Sequence, residues 1–175
     1  MITLEDLFLF GSESDTATLL PAVNPFQDVD ALLESQVLDI RYDGIRSTVG
    51  IIFELRMSYY LHNASTGLLI ASNITEFSWD QVDRHNDRTA WTVYDCKAHR
   101  TPSGLSLELT STPTAKFLLN AERASFYQLR IPHLENTAPP DYGDPDFSEI
   151  IESIATWNSR AEIMAAAHFR PSEVE

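Results

Sequence analysis

The sequence predicts an α+β fold: a mainly antiparallel sheet of about six or seven strands, with a short N-terminal helical region and one C-terminal helix packed on it. Three observations support this prediction. Much of residues 37–131 alternates between apolar and polar side chains, as half-buried strands do. Apolar residues recur at helical spacing near both ends of the chain. Hydrophobic residues make up 43% of the 175 residues and charged residues 22%, which suits a globular core.

The chain is interpreted as a single domain, residues 1–175, because no repeat, low-complexity tract or shift in composition marks a boundary. Four parts differ in character. They are an acidic, mainly helical N-terminal region (1–36), an antiparallel β-meander (37–131), an acidic loop and helix (132–159) and a C-terminal tail that includes a final strand (160–175).

Two helical stretches are predicted in the N-terminal region. Thr3 is a suitable N-cap for residues 3–9, with Asp6 three positions later. Residues 26–35 place apolar side chains at helical spacing and predict a short amphipathic helix.

The central region predicts a succession of strands. Asp43-Gly44 marks a turn after the first of them. The predicted strands are 37–42, 48–59, 68–79, 89–99, 105–110, 115–121 and 124–131. Because the connections are short, we expect neighbours in sequence to pair antiparallel. The pattern leaves open whether the sheet is open or curls into a partial barrel.

A helix is predicted at residues 146–157, with Asp144 as N-cap and Pro145 in its first turn. An apolar stripe from Phe147 to Trp157 would dock this helix on the sheet. Residues 161–169 suit a helix by composition and a strand by alternation, and we favour a strand.

The net charge of −14 is unevenly distributed along the chain. Residues 1–39 hold eight acids and residues 132–159 hold six, and neither stretch contains Lys or Arg. Such a balance repels nucleic acid and anionic membranes and favours a basic protein partner. The absence of basic runs interleaved with aromatic residues also argues against nucleic-acid binding.

The sequence predicts a cytoplasmic protein. Its N-terminus carries acids where a signal peptide would carry Lys or Arg, and its apolar runs are far shorter than a membrane span. The only cysteine, Cys96, forms no internal disulfide, which suits a reducing compartment.

A weak metal-site candidate lies between two predicted strands. Asp80, Asp83, His85 and Asp87 offer hard ligands close together in sequence. The calcium-loop glycine and closing glutamate are missing, and a solvated hairpin tip, with Trp79 and Trp91 near one another at its base, explains the same residues. We therefore predict no cofactor and no metal.

Catalytic signatures are absent from the sequence: no P-loop, glycine-rich dinucleotide loop, nucleophile elbow or zinc-protease motif occurs. Cys96 and His99 suggest a thiol–imidazole dyad, but in a strand their odd spacing places them on opposite faces. We therefore predict no catalytic residue.

An alternating-sign polar face runs along the first two strands. It comprises Asp39, Arg41, Asp43, Arg46, Glu54 and Arg56. This face is interpreted as cross-strand ion pairing on a solvent-facing sheet, with a ligand-reading surface as the alternative.

Three function classes remain. One is a module that binds a basic protein. Another is a small-ligand-binding or hydrolytic protein with a pocket between the sheet and helix 146–157. The third is an assembly subunit that binds copies of itself. This class remains because dimers formed through strand edges or helix faces leave no pattern in the sequence.

We predict the first class, in which the protein neutralises a basic partner such as a toxin nuclease. Immunity proteins, antitoxins and nuclease inhibitors offer an analogy of charge and size, because clustered carboxylates can steer and hold a phosphate-binding surface. The predicted partner-binding residues are Asp141, Asp144, Asp146, Glu149, Glu152, Asp28, Asp30 and Glu34. Convergence of the two acidic regions on one face would favour this class.

Overall fold

The computed structural model describes residues 1–11, 19–82 and 88–171. Within them the chain forms eight strands, two α-helices and one 3-10 turn at Pro132–Leu134. The strands are β1 (Ile2–Thr3), β2 (Gln36–Asp43), β3 (Thr48–Glu54), β4 (Thr66–Gln81), β5 (Trp91–Thr101), β6 (Gly104–Thr112), β7 (Ala115–Arg130) and β8 (Arg160–Phe169). The helices are α1 (Leu4–Phe10) and α2 (Phe147–Glu152). The predicted fold class, a mainly antiparallel sheet with a helix near each end of the chain, is confirmed.

The sheet closes into a six-stranded barrel. Strands β2, β3, β4, β7, β6 and β5 pair antiparallel in that order, and β5 pairs with β2 again. The closing contact is short, with Gln36 opposite Thr92 and Val37 opposite Trp91. Outside the ring β8 pairs with β7, and β1 with β8. Closure leaves few free strand edges in the described sheet.

The predicted simple meander is wrong at two places. First, β4 pairs along its length with β7 and not with β5. Second, residues 115–121 and 124–131 belong to one 16-residue strand, β7, which changes partner midway from β6 to β8. Alternation predicts a strand but not its neighbour, because pairing depends on contacts far apart in sequence.

Residues 26–35 form turns rather than the predicted helix. Asp30 and Glu34 have positive φ angles of 58° and 61°, which no α-helix contains. Their backbone N–H groups donate to carbonyl oxygens of β5, at 3.0 Å for Asp30 and 2.8 Å for Glu34. The segment therefore follows the β5 edge, where tertiary hydrogen bonds replace those of a helix, and its Phe26 and Leu32 pack in the barrel core.

The two helices keep only part of their predicted form. Thr3 caps α1 as predicted, and its Oγ1 accepts a hydrogen bond from Asp6 N. The N-cap of α2 is Asp146, not Asp144, and this helix ends at Glu152 rather than at Trp157. The predicted apolar stripe is only partly covered, since Phe147 is 54% exposed. The final residues, 160–169, form the strand that alternation favoured.

Two apolar layers hold the structure together. One fills the barrel and includes Phe53 and Phe126, whose rings lie 6.3 Å apart. The other lies on the outside of β3, β4, β7 and β8, under α1 and Trp157. Every residue of β3 is buried, because the two layers cover both faces of this strand.

Candidate functional site

The acidic residues predicted to bind a partner lie mainly at the surface. Among them, Asp30 and Asp144 are half-buried and the others are exposed. The exposed ones are Asp28, Glu34, Asp141, Asp146, Glu149 and Glu152. In the part of the chain that the structure describes, no ion pair joins any of these eight carboxylates to a basic side chain. Within the described residues, these eight carboxylates therefore have no salt-bridge partner.

The two acidic regions meet at the start of β2. Tyr142 donates a hydrogen bond from its hydroxyl to Gln36 Oε1 at 3.0 Å. Burial, and next the charge of Glu54, raise the pKa of Tyr142, so its hydroxyl stays a donor at neutral pH. Tyr142 is adjacent to Asp141, and Gln36 is two residues from Glu34. We call the eight acids and this junction the acidic surface.

A buried arginine anchors the acidic loop. Arg56 binds both carboxylate oxygens of Glu54, at 2.8 and 2.6 Å, and the side chains are 9% and 1% exposed. The same guanidinium donates to Thr137 Oγ1 at 2.7 Å, to Ala138 O at 3.2 Å and to Ser153 O at 2.7 Å. Glu54 and Arg56 are thus not the solvent-facing ion pair that their alternation predicted. They fix both ends of the segment 137–153.

Most acids of this segment also have a local structural role. Asp141 Oδ1 accepts a hydrogen bond from Gly143 N at 2.9 Å, and Asp144 Oδ1 accepts one from Asp146 N at 2.7 Å. Asp146 Oδ1 accepts one from Ser148 N at 2.9 Å as the N-cap of α2. These three acids therefore hold turns and the start of α2 in addition to carrying charge.

An apolar pocket of about 250 Å³ lies between the barrel and α2, where the ligand-binding alternative places one. Among the described residues, its polar lining consists of Arg88, Thr89 and Tyr142. Its apolar lining is Val37, Leu38, Ala90, Trp91, Phe147, Ile150, Ile151 and Ile154. This volume is below the roughly 300–1,000 Å³ of typical small-molecule sites, and it suits a single large side chain. The pocket lies beside the acids of α2.

The remaining polar face of β2 is partly solvated: Asp39 is exposed, and the Arg41 and Glu5 side chains are 36% and 41% exposed. Asp39 Oδ2 accepts a hydrogen bond from Trp157 Nε1 at 2.6 Å. Arg41 binds Glu5 at 2.7 Å, and its guanidinium lies 4.5 Å from the centre of the Trp157 ring. The face therefore helps to hold the outer layer in place, while its charged side chains stay partly exposed.

The metal-site candidate falls mostly outside the described residues. Asp83, His85 and Asp87 belong to the stretch 83–87, which the structure does not describe, and Asp80 is exposed on β4. In the described ranges, no cluster of three or more His, Cys, Asp or Glu could hold a metal ion. Trp79 and Trp91 lie together as predicted, with ring centres 5.5 Å apart.

Cys96 and His99 point to opposite sides of β5, as strand parity predicts. Cys96 is 1% exposed in the barrel core, whereas His99 is exposed. Burial raises the pKa of the Cys96 thiol from 9.0 to about 12, so the reactive thiolate is disfavoured.

We expect the Cys96 thiol to resist a disulfide reagent such as DTNB at pH 8 in the folded protein and to react within seconds in urea. Above pH 9 the unfolded chain loses the thiol proton while the folded chain keeps it, so the free energy of unfolding falls as pH rises towards 12. Absorbance of the released thiolate measures the reaction. Fast labelling without denaturant would contradict this placement.

Gln36, Arg56 and Tyr142 organise the acidic surface, yet sequence reasoning did not select them. Arg56 was assigned to a solvated face because residues on either side of it alternate in charge. The only feature of the local sequence that points to its pairing is the short spacing to Glu54. This spacing does not distinguish a buried ion pair from an exposed one.

The candidate site is described from its own geometry, because no similarity to a known protein adds to it. Among the described residues, no helix has the length and apolar character to cross a bilayer. Comparison of the chain with protein-family models, curated proteins and solved structures finds no match.

Proposed function

We propose that this chain is an acidic cytoplasmic binding protein that neutralises a basic protein partner, such as a toxin nuclease. The observation that supports it best is the acidic surface: eight carboxylates that have no salt-bridge partner among the described residues, on two regions joined by Tyr142 and Gln36. A nuclease is basic where it holds phosphate, so this surface would compete with its substrate.

The apolar pocket beside α2 gives the proposal a second support. Protein interfaces combine an apolar anchor in a small pocket with a polar, charged rim. Phe147 and Ile151 are 54% and 39% exposed, so they offer apolar area next to Glu149 and Glu152. In this arrangement the carboxylates accelerate association and the pocket slows dissociation.

The first experiment is capture of the partner on the tagged protein at low and moderate salt, followed by binding kinetics with the purified partner. We expect Glu149→Gln/Glu152→Gln to lower the association rate about tenfold at low salt, because two steering charges are lost. These glutamates make no hydrogen bond that holds α2 in the described structure, so folding is retained. Ile151→Ala should instead raise the dissociation rate.

The matched control is Asp80→Asn/Glu108→Gln, which removes the same charge from a shallow groove of about 420 Å³ on the β4–β7–β6 wall. It should leave the association rate nearly unchanged. If both double variants slow association equally, general charge and not the acidic surface is responsible, and the proposal fails. A small molecule bound at the α2 pocket, with no protein partner, would favour the ligand-binding alternative.

A further inference from the structure

A second cleft lies on the outside of the barrel, at the C-terminal end of α1. It has a volume of about 770 Å³, within the range of small-molecule sites. Thr48, at one end of β3, lines this cleft, and Glu54, at the other end, anchors the acidic loop. At about 3.3 Å per residue, the cleft and the anchor of the loop are roughly 20 Å apart. We call it the basic cleft, and it is independent of the acidic surface.

The basic cleft gathers arginines in a strongly acidic protein, and two of them also pair with acids beside it: Arg46 with Asp43 at 2.6 Å and Arg123 with Glu122 at 3.2 Å. Its described lining includes Arg46, Arg123, Arg170 and His168 and contains no Asp or Glu. The whole chain has only 12 Lys and Arg against 26 acids, so three arginines around one cleft are a quarter of its basic residues. This concentration of guanidinium groups is what oxyanion recognition requires.

Arg46 is held in place and retains an unused donor. Its Nε binds Asp43 Oδ2 at 2.6 Å, and its Nη1 donates to Leu9 O at 2.5 Å, at the end of α1. Its guanidinium lies 5.1 Å from the centre of the Phe8 ring. Its Nη2 is buried and makes no hydrogen bond within the described chain. A buried, unpaired donor of a charged group costs free energy, and a ligand in the cleft accepts its hydrogen bond once a small shift of the Arg46 side chain uncovers it.

Polar side chains of β3, β4 and β7 form the floor of the cleft, the side made by the sheet. Thr48, Ser72 and Arg123 lie side by side on β3, β4 and β7 and face the cleft. On the next row, Ser125 Oγ and His168 Nδ1 are hydrogen-bonded at 2.9 Å. The Thr48 hydroxyl already donates to Arg46 O at 3.1 Å, so the donors of this row that face a ligand are the Ser72 hydroxyl and the Arg123 guanidinium, which strand pairing keeps in register.

The other half of the cleft is apolar. Leu7 and Phe8 of α1 form one side, and Ile70 and Tyr127 lie on the sheet. These residues belong to the outer layer of the core and are therefore firmly packed. A ligand that fits both halves has an anionic group joined to an apolar body.

We propose that the basic cleft binds a phosphate monoester with an aromatic or apolar body. A phosphate monoester has three terminal oxygens and close to two negative charges at neutral pH, so it can accept hydrogen bonds from Arg46, Arg123 and Ser72 together. A carboxylate has two coplanar oxygens and one charge, and it leaves donors unpaired. The apolar body lies against Phe10, which lines the cleft at the end of α1 and is 77% exposed.

Phenyl phosphate is the probe, measured by calorimetry at 50 mM and 150 mM salt with inorganic phosphate and benzoate as comparisons. We expect phenyl phosphate to bind at least tenfold more tightly than either comparison, since each uses only part of the cleft. Arg123→Gln should weaken binding about tenfold or more, because one charge-assisted contact is lost. Arg123 is 62% exposed on its side chain, so the variant folds.

Arg130→Gln is the matched control, since it removes an arginine from β7 that pairs with Glu135 and Glu162 outside the cleft. It should bind phenyl phosphate like the unchanged protein. Ser72→Ala tests the floor without altering charge and should also weaken binding. The proposal is overturned if phenyl phosphate does not bind at 50 mM salt, if benzoate binds equally well, or if Arg123→Gln and Arg130→Gln have the same affinity.

Discussion

Arg56→Ala should lower the free energy of unfolding by about 3–5 kcal/mol, because it leaves the Glu54 carboxylate buried without a counter-charge. Glu54 is 1% exposed, so water cannot replace the lost partner. The variant also removes the hydrogen bonds to Thr137, Ala138 and Ser153 that hold the acidic loop. Urea denaturation followed by circular dichroism measures the loss.

Arg130→Ala is the control for this experiment. Arg130 and Glu135 pair at 2.8 Å with side chains 42% and 46% exposed, and such surface pairs contribute only about 0–1 kcal/mol. Equal denaturation midpoints for the two variants would contradict the anchoring role of Arg56.

A second variant separates stability from anchoring. Glu54→Leu/Arg56→Met replaces the pair by apolar side chains and should recover much of the lost stability. It does not restore the hydrogen bonds to Thr137 and Ser153, so hydrogen exchange in 137–153 should remain faster than in the unchanged protein. Exchange as slow as in the unchanged protein would show that the loop is held by other contacts.

Trp157→Ala should cost about 3–5 kcal/mol of unfolding free energy, as removal of a large buried aromatic side chain does. The Trp157 side chain is 7% exposed, its ring centre lies 5.3 Å from that of Phe8, and its indole binds Asp39. The substitution removes the contact that joins α1, β2 and the C-terminal region. Thermal and urea unfolding measure the effect, with the exposed Phe147→Ala as a control expected to cost less than about 1 kcal/mol.

A double-mutant cycle with Gly50 tests the packing directly. A Cβ at position 50 would lie 2.7 Å from a Phe8 ring atom and 2.8 Å from a Trp157 ring atom. Gly50→Ala should therefore cost about 1–3 kcal/mol by overpacking. In the Trp157→Ala background the cost should be smaller, because half of the clash is gone. Additive effects would mean that the two residues do not pack as described.

Strand content could be predicted from sequence because alternation in β2, β5 and β6 arises from each strand's own inner and outer faces. The prediction was less accurate for β3, which is buried on both sides, and for residues 26–35. In residues 26–35, Val29, Leu32 and Leu33 have helical spacing, but hydrogen bonds to β5 determine the conformation. Strand partners could not be predicted, because β4 and β7 meet through contacts some fifty residues apart.

The candidate site was predicted only in part. Charge runs identified the acidic regions, since clustered carboxylates are visible in any sequence. The anchor at Arg56 and the basic cleft were not predicted. Arg46, Arg123 and Arg170 are scattered along the chain, and a set of cations brought together by folding leaves no local pattern.

By itself, the sequence determined the α+β class, the strand segments, the cap of α1 and the concentration of negative charge in two regions. These follow from properties of neighbouring residues: periodicity, turn chemistry and net charge. Only the tertiary structure decided that the sheet closes into a barrel, that Glu54 and Arg56 are buried, and that the acidic regions meet at Tyr142 and Gln36. The physical reason is that closure, burial and the contact between Tyr142 and Gln36 depend on which distant segments pack together, and a local pattern contains no information on that choice.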